Sequence, residues 1–109
     1  MRRIQQYFRP GDVDEALALL AAHTARPLAG GQRVLVEDAL DPVSLVDLQA
    51  LGLDDLVCQD GRLRMGAMVR LQTLVESAPV PPLLADAARR EGPLTYRHAA
   101  TVGGTVATG

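Results

Sequence analysis

In the stretch Val57-Cys58-Gln59-Asp60-Gly61-Arg62-Leu63-Arg64-Met65, two short runs flank the pair Asp60-Gly61. Asp-Gly is among the pairs that most favour a two-residue type I′ turn, because both central positions need positive φ. The stretch therefore predicts an antiparallel hairpin. Upstream, Ser44-Leu45-Val46-Asp47-Leu48 alternates around a β-rich centre and predicts a strand, with Leu53-Asp54-Asp55-Leu56 as a turn behind it. Downstream, Leu71, Leu74, Val75 and Ala78 recur at helical spacing. Pro79, Pro81 and Pro82 end that helix ahead of a second one around Leu83, Leu84, Ala87 and Ala88.

Towards the amino terminus, Asp12 followed by Glu15 has capping-box spacing, and Val13, Ala16, Leu17 and Leu20 fall on one helical face, predicting a helix over 13–23. Leu28-Ala29 then reads as the end of a strand that meets a turn at Gly30-Gly31. Val34, Leu35 and Val36 suit a short buried helix or strand, with a leaning to helix, since periodicity does not choose between them. The last segment, Tyr96 to Gly109, is small, polar and glycine-rich and predicts a loop. The order of elements describes a mixed α/β (α+β) unit.

A chain of 109 residues, 48% of them apolar, is long enough for one domain with a core. Its net charge of -2, with arginines interspersed among carboxylates, gives no basic stripe for neutralising phosphates along a nucleic acid. No apolar run approaches the roughly 20 residues of a transmembrane segment, and the start lacks a secretory apolar segment, so the expected location is cytoplasmic. Cys58, the only cysteine, reads as a buried structural thiol; no disulfide, zinc cluster or iron–sulfur site can form from thiolates within the chain. His23 reads as a surface residue near a helix end, and Asp54-Asp55 as solvated acids in a turn. No Ser/His/Asp or Cys/His arrangement, no Gly-x-Gly-x-x-Gly fingerprint and no glycine–lysine phosphate loop occurs.

Phosphate recognition without lysine or metal requires backbone N–H groups converging on one point, which glycine turns supply. Two segments qualify: Leu28-Ala29-Gly30-Gly31-Gln32-Arg33 and Ala100-Thr101-Val102-Gly103-Gly104-Thr105. With Tyr7-Phe8-Arg9-Pro10, Leu45-Val46-Asp47-Leu48, Met65-Gly66-Ala67 and Arg97-His98-Ala99-Ala100 in their order along the chain, they resemble the FAD-binding medium subunit of the molybdenum hydroxylases, the family of carbon monoxide dehydrogenase and xanthine dehydrogenase.

The resemblance implies the amino-terminal part of a two-subdomain FAD-binding fold of the molybdopterin dehydrogenase type, with residues 1–54 as first subdomain and 55–109 as the incomplete start of a second. It implies that Leu28, Ala29, Gly30, Gly31, Gln32, Arg33 and Val34, together with Thr101, Val102, Gly103, Gly104 and Thr105, face the FAD diphosphate; His98, by its place beside Arg97 just ahead of the second turn, has a cofactor contact open to it. Arg33 and Thr105 depart from the commoner residues of the family; Arg33 either pairs with the pyrophosphate or is solvated. The implied role is an electron-transfer component of an oxidoreductase, passing electrons from iron–sulfur clusters to an acceptor. The implied partners are a large molybdopterin-binding subunit and a small subunit with [2Fe–2S] clusters. No side chain serves as a general acid or base on this view, and no metal is bound by the chain. Gly103→Val is expected to remove flavin binding and leave the fold largely intact. The competing expectation is a truncated remnant or docking module that binds no flavin.

Overall fold

The computed structural model describes residues 3–31, 35 and 41–108. Gln32, Arg33, Val34 and Val36, and with them the helix-or-strand reading of 34–36, lie outside the described residues. The chain divides into two compact units, Met1–Gly52 and Leu53–Gly109.

The first unit is a three-stranded parallel sheet with one helix: β1 (Ile4–Phe8), α1 (Val13–Ala22), β2 (Ala25–Leu28) and β3 (Val43–Asp47), in the order β1-β3-β2. Every residue of β3 is buried. A central parallel strand is covered on both faces, so it reads as a near-continuous apolar run. Here Ser44 and Asp47 are the polar exceptions. Pro27, which has no N–H for a ladder, is tolerated because β2 is an edge strand. Leu28, Val43 and Leu45 form the unit's buried cluster, with Leu35 packed against it.

α1 begins where the capping pattern places it. Asp12 Oδ1 accepts the Glu15 N–H at 2.8 Å, and Glu15 Oε2 accepts from the Gly11 N–H at 3.1 Å, one residue before the usual capping-box partner. The buried stripe differs from the predicted face: Ala16 is buried, whereas Val13 and Leu17 are 44% and 59% exposed. β1 carries no strong strand signal, since Ile4-Gln5-Gln6-Tyr7-Phe8 is largely exposed and half polar.

The second unit opens with the hairpin of β4 (Leu56–Gln59) and β5 (Arg62–Met65), in which Gln59 pairs with Arg62 and Leu56 with Met65. Asp60 and Gly61 have φ of 54° and 71°, the positive pair that a type I′ turn requires. Four helices follow: α2 (Leu71–Glu76), α3 (Pro82–Arg90), α4 (Leu94–Ala99) and α5 (Val102–Thr108). Val69, Leu71, Leu74, Val80, Ala88 and Ala100 make the core, covered in part by Leu56, Leu63 and Met65 of the hairpin.

Three expectations are corrected. Tyr96–Gly109 is not a loop: it holds most of α4 and all of α5. The turn behind β3 comes earlier than Leu53–Leu56, as a 3₁₀ turn over Gln49–Leu51 ended by Gly52 at φ 70°. Leu53 and Asp55 instead lend their carbonyls to the N–H groups of Met68 and Gly66, both at 2.8 Å. Cys58 is exposed, because its arm of the hairpin is covered mainly at Leu56.

Candidate functional site

The second glycine segment is laid along residues 67–71. Thr101 and Arg70 form an antiparallel bridge, the Leu71 N–H donates to Ala100 O at 3.0 Å, and the Val102 N–H to Val69 O at 2.9 Å. The Gly103 N–H donates to Ala67 O at 2.8 Å. A Cβ on Gly103 would stand 2.8 Å from the Ala67 methyl and 2.9 Å from its carbonyl oxygen, so this position is glycine to let two backbones touch.

Thr101 is 1% exposed and caps the helix that follows. Its Oγ1 accepts the Gly104 N–H at 3.1 Å, and its carbonyl accepts the Thr105 N–H at 3.0 Å and the Thr105 hydroxyl at 2.8 Å. Each N–H from Val102 to Thr105 thus has a partner inside the protein. Three of the four acceptors are backbone carbonyls; the Gly104 N–H alone is held by a side-chain hydroxyl. That hydroxyl can turn away to another partner, which a carbonyl fixed in the chain cannot do. A Cβ on Gly104 would meet only Thr101 Oγ1, at 3.1 Å. For an acceptor-only group such as a diphosphate, Gly104 is the position in the segment whose N–H is held by a group that can turn away. The residues present fit such a group there.

Arg70 NH1 donates to Ala99 O at 2.6 Å, closing the segment from the other side. Ala99 ends α4, where carbonyls lack an intrahelical N–H. Nothing in the sequence marks Arg70 for this role, and Met65-Gly66-Ala67, though part of the family resemblance, does not show that Ala67 holds Gly103, because each partner lies about thirty residues or more from the segment it holds. His98 is exposed on α4.

The first glycine segment leaves β2 at the carboxyl edge of the parallel sheet, the edge where ligands of open α/β sheets bind. Leu28 is buried and pairs with Asp47, and the Leu48 N–H donates to Leu28 O at 3.0 Å. Ala29 and Gly30 are half-buried. Gly31 has φ 75°, and a Cβ there would stand 3.0 Å from Leu35 Cδ1, so the turn combines a left-handed residue with close packing. Asp47, 2% exposed, is held on both oxygens: the Tyr7 hydroxyl donates to Oδ2 and the Gln49 N–H to Oδ1 at 3.0 Å. The hydrogen bond to Asp47, with burial and the Asp47 charge adding to it, raises the Tyr7 pKa above its ordinary value near 10, while Arg9 opposes.

Among the described residues no group of three or more His, Cys, Asp or Glu is placed to hold a metal, and no helix is long and apolar enough to cross a membrane. The fold is of mixed α/β class, a parallel sheet with one helix in the first unit and a hairpin with four helices in the second. Residues 2–109 match the family model described as the FAD binding domain in molybdopterin dehydrogenase, and the chain belongs to that family. FAD is the cofactor of this domain.

Among curated proteins, the chain is 34% identical over 107 residues to the uncharacterized protein YgfM of Escherichia coli K12, covering 95% of this chain and 41% of that one. Among solved structures, carbon monoxide dehydrogenase from Hydrogenophaga pseudoflava matches at 31% identity with a TM-score of 0.89, over 98% of this chain and 40% of that chain. Quinoline 2-oxidoreductase from Pseudomonas putida 86 matches at 28% identity with a TM-score of 0.90, over 98% of this chain and 40% of that chain. The chain therefore spans about two fifths of the length of these relatives.

Proposed function

We propose that this chain is the diphosphate-holding part of a flavin subunit that passes electrons from iron–sulfur clusters to an acceptor within a cytoplasmic molybdenum-dependent dehydrogenase or hydroxylase. Leu28, Ala29, Gly30, Gly31, Gln32, Arg33 and Val34 make one contact segment with FAD, and Thr101, Val102, Gly103, Gly104 and Thr105 the other. The observation that carries the reading is the Gly104 N–H, held at 3.1 Å by the Thr101 hydroxyl, an acceptor that can turn to another partner. When bound, FAD supplies the redox chemistry through its isoalloxazine ring, and the protein supplies position and electrostatics.

The partners are a molybdopterin-binding large subunit and a [2Fe–2S] small subunit. This is supported by the similarity to carbon monoxide dehydrogenase from Oligotropha carboxidovorans, at 28% identity and TM-score 0.88, and to the two enzymes above. One observation favours the other reading, a docking module without flavin: the N–H groups of residues 102–105 are all engaged internally. A fluorescence titration of the chain with FAD and with FMN separates the two. Saturable FAD binding with clearly weaker FMN binding is the expected result, since FMN lacks the diphosphate. A folded chain that binds neither overturns the flavin-binding reading.

A further inference from the structure

Arg70 is a cation built into the frame of the second glycine segment. It is the bridge partner of Thr101, and side chains of directly opposed residues in an antiparallel pair leave on the same face, roughly 5 Å apart at Cβ. Thr101 is the residue whose hydroxyl holds the Gly104 N–H. Arg70 is half-buried, and its guanidinium has five N–H donors. One of them, on NH1, donates to the neutral Ala99 carbonyl. Among the described residues, the ion pairs of Arg89 and Arg90 with Asp86 involve other arginines, and no carboxylate pairs with Arg70. A guanidinium that meets no carboxylate among the described residues, carried on the bridge partner of the residue whose hydroxyl holds the Gly104 N–H, supplies charge and free donors of the kind an anion takes.

We infer that Arg70 contributes to binding the FAD diphosphate, neutralising its charge with the guanidinium while NH1 keeps the Ala99 carbonyl and so holds residues 99–103 in place. The inference rests on the flavin-binding reading and adds to it a specific residue that lies outside both glycine segments. A purely structural Arg70 would hold the Ala99 carbonyl and do nothing more, so the two roles differ in what they do to ligands with and without a diphosphate.

The test uses Arg70→Met, which keeps the apolar stem and removes the charge, and Arg70→Lys, which keeps the charge. FAD and FMN affinities are measured between about 50 mM and about 300 mM NaCl, a range over which charge contacts are increasingly screened. In wild type, FAD affinity should fall with salt. In Arg70→Met it should be weaker by roughly tenfold or more, with a flatter salt dependence, while FMN affinity is little changed; Arg70→Lys should recover the salt dependence.

A second measurement needs no variant. Phenylglyoxal modification of Arg70 in the wild-type chain, read by peptide mass spectrometry, should be suppressed by FAD and hardly by FMN. If wild type binds no FAD, the flavin-binding reading itself fails. If wild type binds FAD but Arg70 reacts equally with and without it, or Arg70→Met loses FAD and FMN alike, the inference is overturned while that reading stands.

Discussion

Gly103 donates its N–H to the Ala67 carbonyl at 2.8 Å, and the same oxygen would stand 2.9 Å from a Cβ at position 103. One contact therefore decides both the hydrogen bond and the residue type. Gly103→Ala should lower stability by about 1–3 kcal/mol through overpacking against backbone, and Gly103→Val by more. This replaces the sequence-based expectation that Gly103→Val spares the fold. Gly104→Ala is the cleaner probe, because its Cβ would meet only Thr101 Oγ1 at 3.1 Å. Chemical denaturation of the two alanine variants should show a large loss for Gly103→Ala and a small one for Gly104→Ala. The same Gly104→Ala chain should bind FAD more weakly than wild type.

Gly66 is the most constrained glycine in the second unit. A Cβ there would lie 2.1 Å from the Leu53 carbonyl oxygen, which is backbone and cannot swing aside. Gly66→Ala should cost on the order of 3 kcal/mol or more. The expected readout is loss of cooperative thermal unfolding, with Gly11→Ala, where no atom lies within 4 Å, as the tolerated comparison.

The hairpin turn gives a graded pair. At Gly61, φ 71°, alanine should cost about 1–2 kcal/mol for left-handed backbone. Asp60→Gly, by contrast, relieves the one non-glycine residue described with positive φ and should be neutral or mildly stabilising. Urea melts of Gly61→Ala and Asp60→Gly should move in opposite directions or leave the second unchanged.

Tyr7 links β1 to β3 through Asp47, and the pH dependence follows from the direction of its shift. The folded chain holds the phenolic proton more tightly than the unfolded chain. The Tyr7 contribution is therefore fully present below the ordinary tyrosine value near 10 and is lost as pH rises through the higher folded value. Tyr7→Phe should remove this alkaline component. Ultraviolet titration of tyrosinate should show one tyrosine ionising late in wild type and not in the variant.

What was legible in the sequence was local. Asp60-Gly61, the Asp12 cap with Glu15, and the proline stops around α3 act within a few residues, and each appears where its chemistry requires. β1 was not legible, because an exposed strand held by pairing with Val43–Val46 needs no apolar face of its own. Nor was α5: Gly103 and Gly104 are poor helix formers, and the helix is fixed instead by Thr101 and by the Gly103–Ala67 contact. Both glycine segments could be picked out by composition and family resemblance. The engagement of the Val102 and Gly103 N–H groups in the second segment could not, because their acceptors at Val69 and Ala67 lie more than thirty residues away in the chain.

The central claim is that this chain grips the diphosphate of FAD, and phosphorus NMR reads that group directly. On titration with the 109-residue chain, both diphosphate resonances of FAD should shift or broaden saturably, while the monophosphate of FMN stays close to its free position under the same conditions. Unperturbed diphosphate resonances in the presence of folded chain would contradict the account.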